Sequence, residues 1–151
     1  MDEYDKLIRI IKSDEDVSEV QLRKAADDLI ALVANKKYVS DKLIDSLVEI
    51  YATQDEMIKV RAVEIGLKLL DYSLYANDQV FGYKIIEFIR THLKGATEKV
   101  LSALIIHHSW AHRKHSSAKD IVKAYDDLLT EFNHDTEFHA LYLQINRAQA
   151  L

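Results

Sequence analysis

The chain has 151 residues, 25 acidic and 20 basic side chains, a formal net charge of −5, 48% hydrophobic content, no proline and no cysteine. That length and apolar content suit one domain with a sizeable core, or two very small ones, while the missing thiols remove disulfide frameworks, zinc–thiolate sites and thiol nucleophiles. Only three glycines, all isolated, leave no room for a P-loop or a dinucleotide fingerprint, so no cofactor is expected.

Apolar residues recur at three- and four-residue spacing nearly throughout, so the helical period dominates and eight helices are expected. The first, 3–13, begins in Met1-Asp2-Glu3-Tyr4-Asp5, acidic where a signal peptide is basic, and carries Leu7, Ile8, Ile10 and Ile11 along one side. The second, 18–36, opens on a capping box of Ser18 with Gln21, and the third spans 41–53. The fourth, 56–75, follows a second capping box, Thr53 with Glu56. Asn77 and Asp78 open the fifth, 78–94, which Gly95 closes in a left-handed conformation. The sixth, 97–114, contains the longest apolar stretch, Val100 to Ile106, far short of the ~20 residues that cross a bilayer. Ser117 caps the seventh, 118–132, and the eighth, 136–149, runs out through Ala148-Gln149-Ala150-Leu151 without a stop signal. Gly66 and Gly82 fall inside helices, where glycine costs about 1 kcal/mol relative to alanine, and close helix crossing is the reason expected. The short connections imply antiparallel hairpins.

The hairpins repeat. Asp5-Lys6-Leu7-Ile8 returns as Asp41-Lys42-Leu43-Ile44, each opening the first helix of a pair. In the second helices, Leu22, Ala25, Leu29 and Leu32 align with Val60, Val63, Leu67 and Leu70. They align further with Val100, Ala103, His107 and Trp110, then with Phe138, Leu141, Ile145 and Ala148, at an interval of about 38 residues. Four such units, about 1–38, 39–76, 77–115 and 116–151, indicate one all-α superhelical domain, a right-handed or gently curved solenoid of four hairpins. Neither terminal helix is polar all round, so an uncovered end invites a second copy of the chain.

The stretch Asp55-Glu56-Met57-Ile58-Lys59-Val60-Arg61-Ala62-Val63, continuing to Leu67 and Leu70, resembles the second half of a HEAT repeat, and Leu22-Arg23-Lys24-Ala25-Ala26 echoes it one unit earlier. The HEAT/armadillo resemblance implies an α-solenoid that binds other macromolecules. It also implies that Arg23 and Arg61 hydrogen-bond carboxylates such as Asp55 or Glu56 in a ladder between repeats.

Candidate chemistry gathers in the third unit. His108, His112 and His115 stand at i, i+4 and i+7, a spacing that suits a transition metal and raises a metal-dependent hydrolase or metal-binding protein as one alternative. No glutamate lies between Lys99 and Glu131 to act as general base beside them, so no enzyme and no metal is the main expectation. His107 falls in the core register of Leu29 and Leu67, where one ring nitrogen needs a carbonyl or hydroxyl, and Trp110 falls in that of Leu32 and Leu70. Asp27-Asp28 and Asp126-Asp127 diverge by about 100° on a helix and read as solvated faces. Tyr72, Tyr75 and Tyr83 cluster near the junction of units two and three.

The four units carry charges of −2, −3, +3 and −3. The basic exception supplies Arg90, Lys94, Lys99, His108, His112, Arg113 and Lys114, with Lys119 just beyond, and Glu98 is the only carboxylate between Arg90 and Lys119. A one-sign patch draws oppositely charged partners. The reading is therefore a cytoplasmic or nuclear, soluble interaction module that binds an acidic or phosphorylated protein segment on this patch. Nucleic acid is a further alternative, disfavoured by the acidic chain and the lack of a basic arm.

Overall fold

The computed structural model describes residues 2–13, 17–35, 38–53, 55–115 and 117–150. Among them are eight helices and no strand: α1 (Glu3–Lys12), α2 (Glu19–Asn35), α3 (Tyr38–Tyr51), α4 (Glu56–Ala76), α5 (Gln79–His92), α6 (Glu98–Lys114), α7 (Lys119–Phe132) and α8 (Thr136–Ala150). Positions 36 and 151, expected at the ends of the second helix and of the chain, and Met1 in the acidic opening lie outside the described residues. No described helix is long and apolar enough to cross a membrane.

The helix starts follow side-chain chemistry. Ser18 and Gln21 form the expected box: Gln21 N donates to Ser18 Oγ (3.1 Å) and Ser18 N to Gln21 Oε1 (3.0 Å). Before α4 the cap sits two residues later than Thr53. Asp55 Oδ1 accepts from Met57 N (2.9 Å) and Ile58 N (3.4 Å), because a carboxylate at the positive end of the helix outcompetes a hydroxyl. Asp78 caps α5 by accepting from Phe81 N (3.2 Å), after Asn77 turns the chain at φ 53°. Gly95, at φ 77°, takes the left-handed turn that follows α5. Ser117 does not cap α7; the N-cap position is Ala118, whose methyl group cannot accept a hydrogen bond.

The chain divides into two compact units, Met1–Leu69 and Leu70–Leu151, with the division inside α4. In the first unit α1 packs on α2 and α2 on α3. Tyr4, Leu7, Ile8 and Ile11 are buried, so the apolar side of α1 is covered within its own unit instead of forming an open end. Leu29, Leu43, Leu47 and Leu69 are fully buried, each worth roughly 1.5–3 kcal/mol of hydrophobic stabilisation.

Arg61 is buried in this core. Its Nη1 donates to the carbonyls of Ser13 (2.6 Å) and Ile11 (3.3 Å), and its Nη2 contacts Met57 Sδ. The carboxylate ladder implied for Arg61 is replaced by backbone carbonyls. The last turn of α1 leaves acceptors unpaired at its negative end, and a guanidinium satisfies them from inside the core. Arg23 remains exposed.

In the second unit α5 packs on α7, and α6 packs on both α7 and α8. Ile85 and Ile89 of α5, Leu104 and Ile105 of α6, and Ile121, Tyr125 and Leu128 of α7 fill the interior. Gly82 marks the tightest approach. A Cβ there would lie 3.1 Å from both Ile121 Cδ1 and Ser73 Oγ, so close crossing does explain this glycine.

Candidate functional site

Helix α6 carries Lys99, His108, His112, Arg113 and Lys114, with His115 directly after it, and its burial pattern sorts them. The stripe of Val100, Leu101, Leu104, Ile105, His108 and Ala111 faces inward. His107 sits beside that stripe and bridges two neighbouring helices: its Nε2 lies 2.6 Å from Asp71 Oδ1 on α4 and its Nδ1 lies 2.8 Å from Tyr125 Oη on α7. A carboxylate only accepts, so Nε2–H donates to Asp71, while Nδ1 shares a hydrogen bond with the Tyr125 hydroxyl, which also lies 3.4 Å from the Leu104 carbonyl as a donor. Both ring nitrogens are thereby satisfied, one by a hydroxyl as expected and the other by a carboxylate. Burial holds the Tyr125 phenol well above its ordinary pKa, so the hydroxyl keeps its proton.

His108 is also buried, and its Nε2 donates to Asp126 Oδ1 at 2.7 Å. Burial pushes its imidazolium down, against the upward pull of Asp126. His112 is exposed, with Nε2 3.6 Å from the second oxygen of the same carboxylate. His115 takes a different direction because α6 ends at Lys114; it packs edge-on against Trp110 (5.4 Å between ring centres) and Tyr75 (6.3 Å). His108, His112 and His115 therefore do not converge. Among the described residues no set of three histidines or carboxylates is arranged to hold a metal ion.

The eight residues assigned to one basic patch fall into separate places. Arg90 is bridged by Glu87 (2.6 Å) and Glu131 (2.8 Å), which neutralise it and stabilise its charged form. His108 and His112 face Asp126. Lys94 and Lys99 lie at the N-terminal end of α6, whereas Arg113 and Lys114 close its C-terminal end and Lys119 opens α7. At 1.5 Å per residue, Lys99 and Arg113 are about 21 Å apart, well over the ~8 Å screening length of physiological salt. A charge count along the chain cannot see Asp126 and Glu131 folding onto the segment from the next helix.

What does assemble at the C-terminal end is an aromatic surface. Trp110 is 36% exposed and Tyr75 85% exposed, on either side of the buried His115. Lys114 Nζ lies 5.0 Å from the centre of the Trp110 ring, and Arg113 folds back to donate to Ser109 O (3.3 Å). Trp110 therefore leaves the core register it shares with Leu32 and Leu70; its ring rests on His107 at 5.9 Å and keeps an open side. Of the three clustered tyrosines, Tyr72 is half-buried against Phe81, while Tyr75 and Tyr83 are exposed. Asp126 is the part-buried partner of His108 and Asp127 reaches Lys123 (3.8 Å), so the adjacent pair diverges as expected but only one member is solvated.

No protein-family model matches the chain, and no curated protein or solved structure matches it either.

Proposed function

We propose that the second unit is a protein-interaction module that seats an acidic or phosphorylated segment on the surface formed by Tyr75, Trp110, Arg113 and Lys114. The observation that carries this reading is the exposed Trp110 and Tyr75 flanking His115, with the Lys114 cation over the indole. Exposed aromatic rings braced by buried neighbours offer large contact area at little entropic cost, and tryptophan, tyrosine and arginine dominate binding energy at interfaces. The sign of the partner follows from Arg113, Lys114 and Lys119. All three are exposed and none has a carboxylate partner among the described residues. Their role is steering and orientation, with the rings supplying affinity.

The helices behind this surface are read as a HEAT/armadillo-like array. Packing of α5 on α7 and of α6 on α8 supports it, since alternate helices meet when hairpins stack. The role is binding rather than catalysis.

Calorimetric titration with a synthetic glutamate-rich peptide bearing one leucine or phenylalanine anchor tests the reading. Reversal of both charges, Arg113→Glu with Lys114→Glu, should weaken binding at least about tenfold, and native binding should fall between about 50 and 200 mM salt. Unchanged affinity in the double variant would remove the proposed surface. Steeply salt-dependent binding of a duplex oligonucleotide with none of the peptide would favour nucleic acid instead.

A further inference from the structure

At the opposite end of α6 lies a cavity of about 430 Å³, within the size range of small-molecule sites. Its floor is apolar: Leu101, Phe132 and Phe138 are buried and Leu141 is half-buried. The Phe132 and Phe138 rings meet edge to face at 5.4 Å and 88°, which fixes both. The elements that form it are the Gly95 turn, the first turn of α6, the end of α7 and the first turns of α8.

The rim is acidic. Glu98 and Glu137 are exposed on it, Asp135 joins them, and Lys94 is its one cation among the described residues. Asp135 has a structural task, because its Oδ1 accepts from Glu137 N (2.9 Å) and Phe138 N (3.1 Å) to cap α8. Glu98 and Glu137 have none of that kind. Neither has an ion-pair partner among the described residues, whereas Glu87 and Glu131 share Arg90. Acidic residues in a first helical turn complement the helix dipole, which accounts for each glutamate singly. It does not account for a hollow with an aromatic floor between the two.

We propose that this cavity binds an organic cation, a protonated amine held by Glu98 and Glu137 with its apolar body against Leu101, Phe138 and Leu141. Three carboxylates against one lysine disfavour an anion, and the apolar floor disfavours a bare metal ion, which needs oxygen or nitrogen ligands on all sides. The site is independent of the aromatic surface at the other end of the helix.

Nuclear magnetic resonance titration of the full chain near neutral pH, with hexylammonium as probe and hexanol and hexanoate as matched controls, tests the proposal. Saturable shifts are expected at the amides of Gly95, Ala96, Leu101 and Ala140, with a Kd of about 1 mM or tighter. Glu98→Gln with Glu137→Gln should weaken hexylammonium about tenfold while the remaining resonances stay in place, and Glu87→Gln should leave binding unchanged. Absence of saturable shifts, an equal response to hexanol, or undiminished binding in the double variant would each overturn it.

Discussion

The two ends of α6 are built from the same helix and present opposite chemistry. At the N-terminal end rings form a floor with glutamates around it; the C-terminal end buries His108 and His115 and raises rings and cations. The helix dipole favours this polarity of charge at both ends, yet it says nothing about the rings. Their placement depends on what lies beneath. At the C-terminal end the inward positions are occupied by His107 and His108, whose carboxylate partners on α4 and α7 hold them in place, so Trp110 stays on the surface. At the N-terminal end Phe132 and Phe138 meet edge to face and both stay buried.

Removing the shared support should affect both ends at once. Leu104 is fully buried between them, and Leu104→Ala should cost about 2–5 kcal/mol in denaturant unfolding. Trp110 fluorescence and the Gly95 amide should lose structure at one midpoint; two midpoints would break the comparison by making the ends independent. Next in size is the histidine clamp. Asp126→Ala leaves the His108 N–H without its acceptor and should cost about 1–3 kcal/mol, whereas Asp127→Ala, one residue along, should stay within about 0.5 kcal/mol.

Acidity should weaken the C-terminal end. Because burial lowers the His108 pKa, the folded chain binds that proton less readily than the unfolded chain, whose histidines titrate near about 6.5. Stability should therefore decline as pH falls below about 6.5, with a contribution from this group of at most about 1.4 kcal/mol per pH unit, and the contribution should vanish above that range. Denaturant titrations from about pH 7.5 to 5.5 should show a shallower slope in His108→Phe; an unchanged slope would remove His108 as its source. The smallest stability effect belongs to the surface charges. Arg113→Glu with Lys114→Glu should shift unfolding by less than about 0.5 kcal/mol, which separates a loss of binding from a loss of structure.

Helix positions were legible because apolar periodicity and local caps decide them within a few residues of chain: Ser18 with Gln21, Asp78 and Gly95 behave as their residue types demand. Sequence and structure part where two local signals compete, as where Asp55 rather than Thr53 caps α4. The site was legible only as far as one helix reaches. Spacing on α6 placed His108 beside His112, but Asp71, Asp126, Glu131 and Tyr75 come from other helices, and no period along α6 encodes them. Those partners tie His107 and His108 to neighbouring helices, pair Arg90 within the basic run, and flank a ring cluster in which Trp110 stays at the surface.

Trp110 is the chain's one tryptophan, so its fluorescence reports the C-terminal end of α6 without interference. Titration with the glutamate-rich anchored peptide should produce a saturable change in that emission, reduced by added salt and lost on Arg113→Glu with Lys114→Glu. An emission that stays constant, or that responds equally to a lysine-rich peptide of the same length, would contradict the account.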